Sequence, residues 1–245
     1  MKIEIIKCLQ DNYSYLIIDE TNKNACVVDP SEAKPVINFI ENNQINLKYI
    51  LNTHHHYDHV GGNLELKKRY SSYIIGFKGD KDRIPEVDVL VENNQIWKKD
   101  NFEAKIYHIP GHTTGHIAYH FFKEKKIFTG DTLFSLGCGR IFEGTYEQMF
   151  NSLNKIKELP KDTEIYCGHE YTLQNSNFCI ANDSQNLKLK DKIIKIKEKL
   201  KNGLPTIPTI LDDEIECNIF LKAKDVKSFS KLRDLKDNFS LIELD

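Results

Sequence analysis

The residues best suited to chemistry in this 245-residue chain are four of its nine histidines and one aspartate, all between positions 54 and 59. From position 53 to position 62 the sequence reads THHHYDHVGG. Neutral imidazole nitrogens and a carboxylate oxygen are ligands that suit zinc, iron or manganese. These side chains can converge on a cation only if the backbone turns, and we expect the following glycine pair to supply that freedom. The run therefore predicts a metal site rather than a solvated histidine-rich loop.

Three further segments carry metal-ligand residues beside glycine, each after a strand-like run. They read PGHTTGH at 110–116, FTGDTLF at 128–134 and YCGHEY at 166–171. One histidine at a strand end is usually structural, but four such segments in one chain predict a shared site.

The elements that must position these segments follow an α/β pattern. A helix over residues 31–43, with Ser31 as its cap, precedes a buried strand over 48–52 that leads into the histidine run. A helix is expected over 61–70, and strands predominate from 96 to 129. Two packed sheets with helices outside would account for this pattern, and a rigid sheet can position ligands on its loops.

The character of the sequence changes after about residue 172, and we interpret 1–172 as a catalytic domain and 173–245 as a small helical domain. Its first helix carries seven lysines between residues 188 and 201. Contact with a membrane or an anionic ligand is one interpretation of this helix. A solvated lysine face is favoured, with five side chains packing inward. These are Leu187, Ile193, Ile194, Ile196 and Leu200.

The bulk composition excludes several classes of protein. A net charge of −2 argues against a nucleic-acid binder with a broad basic surface. The six cysteines show no CxxC pair, so neither a disulfide framework nor a zinc ribbon is indicated. With no signal-peptide pattern and no apolar run of transmembrane length, we expect a soluble cytoplasmic protein. We also expect a monomer that contacts neither membrane nor nucleic acid.

The order HxHxDH, GHTxGH, GDTLF and GHEYT resembles the hydroxyacylglutathione hydrolases, or glyoxalase II, of the metallo-β-lactamase superfamily. The resemblance runs nearly end to end. It includes CLQDNY at 8–13, GCGR at 137–140, FEGT at 142–145 and NIFLK at 218–222. It implies an α/β fold, a four-layer αββα sandwich with a small C-terminal α-helical domain.

The resemblance also implies a metal centre with two divalent ions, zinc first, with iron or manganese as alternatives. Ligands for the first ion would be His54, His56 and His112, and for the second Asp58, His59 and His169, with Asp131 bridging the two. Asp58 would in addition orient the metal-bound hydroxide. For the remaining histidines a structural role, or one supporting the ligands, is favoured. These are His55, His108, His116 and His120.

The implied substrate is a glutathione thioester. S-D-lactoylglutathione, or a related 2-hydroxyacylglutathione, would be hydrolysed by a metal-bridging hydroxide to D-lactate and glutathione, the second step of methylglyoxal detoxification. The matching substrate-binding positions are Arg140, Phe142, Tyr171 and Lys222. Some members of the family have arginine in place of Lys222, tyrosine in place of Phe142, and a further lysine near Asp225.

Three other functions remain open at this point. Another hydrolase of the superfamily would act on a lactone, a β-lactam or a phosphodiester. A persulfide dioxygenase would hold a single iron on His54, His112 and Asp131, so metal occupancy distinguishes it from a hydrolase. A metal-binding or scaffold protein without catalysis would bind metal but turn over no thioester.

Overall fold

The computed structural model describes residues 1–239, which divide into two compact units. The first comprises residues 1–108 and 115–130, and the second comprises residues 109–114 and 131–239. Both units mix strands and helices, and the C-terminal region is helical. No helix within the described residues is long and apolar enough to cross a membrane.

The first unit contains a six-stranded sheet whose spatial order follows the chain. Its strands are Lys2–Cys8 (β1), Asn12–Ile18 (β2), Asn24–Val28 (β3), Asn46–Leu51 (β4), Tyr73–Phe77 (β5) and Val89–Val91 (β6). The first three strands are antiparallel, and β3 to β6 are parallel. Parallel neighbours need crossover connections, which include the helices Ala33–Asn43 (α1), Tyr57–Val60 (α2) and Asn63–Tyr70 (α3).

Four antiparallel strands of a second sheet also belong to this unit, in the order β10–β9–β8–β7. They are Ile96–Lys99 (β7), Phe102–His108 (β8), Ile117–Phe121 (β9) and Lys126–Gly130 (β10). The two sheets pack face to face, because the buried hydroxyl of Tyr119 lies 3.0 Å and 3.1 Å from the carbonyl oxygens of Asn52 and Ile75. The predicted pair of packed sheets is confirmed.

One expectation about the helices of this unit is wrong. Ser31 does not cap α1, which begins at Ala33 after Glu32 and has no side-chain cap. The backbone N–H of Ser31 instead donates to Ser14 Oγ at 3.1 Å, which fixes the residue to the neighbouring strand. The helix expected over 61–70 is present as α3, which begins two residues later than expected, at Asn63, and the short helix α2 precedes the glycine pair.

The second unit contains a short hairpin, Leu133–Phe134 (β11) with Gly137–Cys138 (β12), and an antiparallel pair, Glu164–Cys167 (β13) with Thr209–Ile210 (β14). Its helices are Tyr146–Lys157 (α4), Thr172–Asn182 (α5), Leu187–Lys201 (α6), Leu211–Cys217 (α7) and Val226–Asp237 (α8).

The lysine-rich helix packs differently from the sequence expectation. Leu189 and Ile196 are its buried residues, whereas Leu187 and Ile194 are exposed. Of the five side chains expected to pack inward, Ile196 is buried and Ile193 and Leu200 are partly buried, so the prediction holds in part.

Candidate metal centre

Asp29, at the end of β3, organises the start of the histidine run. Its carboxylate accepts hydrogen bonds from the Thr53 backbone N–H at 2.8 Å and the Thr53 hydroxyl at 2.6 Å. It also lies 3.0 Å from His59 Nδ1, and Thr53 Oγ1 lies 3.0 Å from His54 Nδ1. Ligand atoms of Asp29, His54 and His59 all lie within 4.8 Å of one another. Asp29 thus orients the histidines, as carboxylates do behind many metal ligands.

The loop after β4 brings four of the sequence-predicted ligands of the first unit together. The ring of buried His54 lies 4.7 Å from that of His56 and 4.2 Å from that of His59, centroid to centroid. Asp58 Oδ2 is 3.6 Å from His59 Nε2. Asn12 Nδ2 donates to the same Asp58 oxygen at 3.0 Å, which fixes the carboxylate at the loop.

We expected the glycine pair to supply conformational freedom for the turn. Its role in the structure is instead to allow close packing. Gly61 and Gly62 both have right-handed helical dihedral angles, with φ of −59° and −84°. A Cβ on Gly61 would overlap the carbonyl oxygen of Ser31, and one on Gly62 would lie 2.9 Å from that of Pro30. The loop therefore packs directly against the chain that leaves β3.

A second carboxylate supports the same loop from another side. Asp80 is buried, and its oxygens lie 3.1 Å from His55 Nδ1 and 2.5 Å from an Arg83 guanidinium nitrogen. A Cβ on Gly115 would lie 2.5 Å from this carboxylate, so the second glycine of the GHTTGH segment makes room for Asp80. His55 consequently has a supporting role, while its neighbours in the run are available as ligands.

The other three histidines outside the predicted ligand set pack against aromatic rings or are buried in a strand. The ring of His116 stacks on that of His54, 4.5 Å away and tilted by 19°. His108 stacks on Phe77 at 4.6 Å. His120 is buried on β9, where desolvation, with a smaller contribution from a neighbouring lysine, lowers its pKa to about 4. His116 thereby supports a predicted ligand through ring contact.

In the second unit, Asp131 lies close to the two remaining histidines of the predicted ligand set. Its Oδ2 atom lies 3.6 Å from His112 Nε2 and 3.3 Å from His169 Nε2. Zinc–nitrogen and zinc–oxygen bonds of 2.0–2.2 Å at a tetrahedral angle would separate two ligand atoms by roughly 3.4 Å. His112 Nδ1 lies 2.8 Å from the Arg140 carbonyl oxygen, a partner that can only accept, so Nδ1 carries the proton and Nε2 is the nitrogen that can bind a metal.

The donor set therefore fits divalent metal ions. Imidazole nitrogens and carboxylate oxygens face one another at ligand-to-ligand distances, and their outer atoms are oriented by carboxylate, hydroxyl and carbonyl groups. The choice among zinc, iron and manganese does not follow from this set, because all three accept it.

Two of the predicted substrate residues lie beside predicted ligand histidines. The ring of Tyr171 stacks on that of His169, with centroids 4.7 Å apart and planes within 4° of parallel. Phe142 is exposed, and its ring lies 5.1 Å from that of His112. Both rings therefore lie next to the predicted ligands.

The two predicted cationic residues are engaged with carboxylates of this chain. Arg140 Nε lies 3.5 Å from Asp237 Oδ1, and 64% of the arginine side chain is exposed. Lys222 Nζ lies 2.5 Å from Asp183 Oδ2, which holds the pKa of Asp183 below its ordinary value. An anionic ligand at either position would compete with an internal partner.

Sequence reasoning missed three residues that organise the centre: Asn12, Asp29 and Asp80. Asp29 had a detectable signal, since it follows the buried strand ACVV and precedes a proline, much as Asp131 follows KIFTG. Asp80 lies in a polar stretch, FKGDKDR, where nothing distinguishes it from the aspartate two residues later.

The chain matches two family models, the metallo-beta-lactamase superfamily over residues 10–169 and the hydroxyacylglutathione hydrolase C-terminus over residues 170–239. A hydroxyacylglutathione hydrolase from Pelagibacter ubique is 66% identical over 239 residues, covering 98% of this chain and 100% of that protein. One from Methylococcus capsulatus is 37% identical over 253 residues, covering 98% and 99%.

Solved structures show the same fold at low sequence identity. ETHE1 from Myxococcus xanthus superposes with a TM-score of 0.73 at 22% identity, covering 99% of this chain and 93% of that one. The B3 metallo-beta-lactamase BLEG-1 gives a TM-score of 0.72 at 22% identity, covering 91% and 100%.

Proposed function

The chain belongs to the hydroxyacylglutathione hydrolases of the metallo-beta-lactamase superfamily, and we propose that it hydrolyses S-D-lactoylglutathione and related 2-hydroxyacylglutathiones to D-lactate and glutathione. The family, the fold and the class of enzyme expected from the order of the motifs are confirmed. As a member of this family it hydrolyses a thioester, and a purely metal-binding or scaffold role is set aside.

The single observation that best supports a hydrolytic metal centre is the position of Asp131 Oδ2. This atom lies 3.6 Å from His112 Nε2 and 3.3 Å from His169 Nε2. A carboxylate between two histidines can bridge two cations. The proposed ligand sets are His54, His56 and His112 for one ion, and Asp58, His59 and His169 for the other, with Asp131 shared. Zinc is the proposed metal, with iron and manganese as alternatives.

Two such ions, when bound, lower the pKa of a coordinated water toward about 7 and stabilise negative charge on a thioester oxygen. Asp58 orients the attacking water, and the Asn12 amide bond to Asp58 Oδ2 holds that carboxylate in place. A thiolate is a good leaving group even without protonation, so the chain needs no separate general acid.

The glutathione part of the substrate is proposed to contact Arg140, Phe142, Tyr171 and Lys222. Two aromatic rings next to the ligand histidines offer apolar surface to the acyl and cysteinyl groups. Arg140 and Lys222 would bind carboxylates of glutathione after exchange with Asp237 and Asp183. In this proposal residues 1–172 supply the reaction centre, and residues 173–245 supply part of the glutathione site.

The test is hydrolysis of S-D-lactoylglutathione by metal-replete protein, followed through the loss of thioester absorbance. Metal content is determined on the same sample. We expect rapid turnover that His54→Ala abolishes and that the matched variant His108→Ala retains, because His108 stacks on Phe77 and is not a proposed ligand.

No turnover of any glutathione thioester by protein that holds two ions would contradict the proposed substrate. The search would then move to lactones and other esters.

A further inference from the structure

The segment that follows Asp131 is held by buried polar side chains of the C-terminal helices. Each residue from 135 to 138 has a backbone group bound in this way. The bonds are Asn175 Nδ2 to Ser135 O (3.1 Å), Cys179 Sγ to Leu136 O (3.1 Å), Leu136 N to Glu214 Oε2 (2.7 Å), Asn218 Nδ2 to Gly137 O (3.1 Å) and Arg233 Nη1 to Cys138 O (2.7 Å). The helices thus fix the course of this segment residue by residue.

The far end of the same segment touches two proposed metal ligands. The Arg140 carbonyl accepts the hydrogen bond from His112 Nδ1 at 2.8 Å. At Gly139, a Cβ would overlap the carbonyl oxygen of Asp131 and lie 3.2 Å from His112 Nδ1. A displacement of the segment would therefore move the group that sets the orientation and tautomer of His112.

Arg233 of α8 donates to the Cys138 carbonyl, which is the bond nearest in sequence to Gly139 and Arg140. Its residue surface is 3% exposed, and its second terminal nitrogen, Nη2, donates to Asp237 Oδ1 at 2.8 Å. The guanidinium also lies over the Phe220 ring, 5.2 Å from its centroid. A buried cation persists only with fixed partners, and the planar fork of arginine can bind a carbonyl and a carboxylate at once.

We propose that Arg233 is a positioning residue for the metal centre. Through the Cys138 carbonyl it fixes residues 137–140, and the Arg140 carbonyl at the end of that segment orients His112. The C-terminal helix α8 thereby contributes to metal retention, in addition to any role in substrate binding. This inference rests on the proposed role of His112 as a ligand.

The test measures metal affinity directly, by competition between metal-free protein and a chromophoric zinc chelator. Arg233→Met should weaken one of two zinc ions by roughly 10–100-fold, the usual effect of removing a supporting group. Arg233→Lys should lose several-fold, because an ammonium can donate to the Cys138 carbonyl but lacks the fork that also binds Asp237. In protein labelled with ¹⁵N-histidine, the Nδ1–H signal of His112 should shift or broaden in both variants.

Arg69→Met is the matched control, because Arg69 is an exposed arginine paired with Glu41. It should keep both affinities and the His112 signal. Wild-type protein that fails to bind two ions would contradict the proposed function itself. Wild-type binding of two ions with unchanged affinities and an unchanged His112 signal in Arg233→Met would overturn the inference, even if the melting temperature fell. If Arg233→Met does not fold, the same two measurements on Arg233→Lys decide.

Discussion

At the residue scale, Asp29 shows how much of the centre depends on a side chain outside the ligand set. Two carboxylate oxygens serve three partners: the backbone and hydroxyl of Thr53, and the ring of His59. Every one of these partners donates to a carboxylate. An amide in the same place would present a donor to at least one of them.

We therefore expect Asp29→Asn to weaken metal binding by about 10–100-fold and to cost about 1–3 kcal/mol of folding free energy. Chelator competition and urea unfolding measure the two effects. Asp100→Asn is the matched control, because Asp100 accepts a hydrogen bond from Tyr49 at an exposed position. Equal metal affinity in wild type and Asp29→Asn would show that His59 is oriented without this carboxylate.

Asp131 should have a different effect, since one of its oxygens faces both His112 and His169. Asp131→Asn replaces the shared anionic ligand by a neutral amide, so we expect the metal content to fall from two ions to one or fewer. Elemental analysis after equilibration with a limited excess of zinc measures this. Retention of two tightly bound ions would rule out a bridging role for Asp131.

Sequence reasoning identified the ligand types because histidine and aspartate recur beside glycine at strand ends, a local pattern. It missed Asp29 and Asp80 because each is a single carboxylate that supports the histidine run from far away in the chain. Asp29 contacts Thr53 and His59, 24 and 30 residues away, and Asp80 contacts His55, 25 residues away. Local spacing contains no information about such pairings. The position of Asp29 after a buried strand is a local signal, but the partners of both carboxylates become visible only in the fold.

At the element scale, the strand before the histidine run and the lysine-rich C-terminal helix could be predicted from the sequence pattern. The start of α1 and the short helix α2 could not. Both depend on the same contact, in which Pro30 and Ser31 pack against Gly61 and Gly62. That contact joins segments about 30 residues apart, so neither helix boundary has a complete local signal.

Gly61→Ala distinguishes the two explanations for this glycine. With φ at −59°, alanine fits the backbone, so a purely conformational role predicts a neutral or slightly stabilising change. Because the Cβ would overlap the Ser31 carbonyl, we instead expect a loss of about 1–3 kcal/mol in the free energy of unfolding. Urea denaturation of metal-free protein measures it.

Gly203→Ala provides the comparison, because Gly203 has φ of +70° and open space around it. Its cost, about 1–2 kcal/mol, should come from backbone strain alone. A neutral Gly61→Ala would show that Ser31 can move away and that the close approach is not required.

At the scale of the whole molecule, the cysteines have the character that their spacing in the sequence indicates. All six cysteines lie within the described residues, all are buried, and none forms a disulfide. Desolvation raises the pKa of Cys167 and Cys179 to about 12, so these thiols stay protonated and unreactive at neutral pH. Cytoplasmic location and a monomeric state remain predictions from the sequence.

The stability of the whole fold in mild acid should depend on His120. This residue is 4% exposed, and neither ring nitrogen has a hydrogen-bond partner within residues 1–239. Burial, with a smaller contribution from Lys105, lowers its pKa from 6.5 to about 4 in the folded state. Above pH 6.5 the ring is neutral in both folded and unfolded chains. As the pH falls from 6.5 to 4, the unfolded chain binds a proton that the folded chain excludes, so stability falls.

The loss attributable to His120 should approach about 3 kcal/mol near pH 4, where the folded protein also begins to protonate. His120→Leu keeps a similar volume and removes the titrating group. We expect its free energy of unfolding to exceed that of the wild type by a margin that grows as the pH falls from 7 to 4.5. Urea unfolding on metal-free protein measures this margin without any contribution from metal loss. Parallel stability curves for the two proteins across that range would show that the ring is protonated in place, with a partner that the fold can supply.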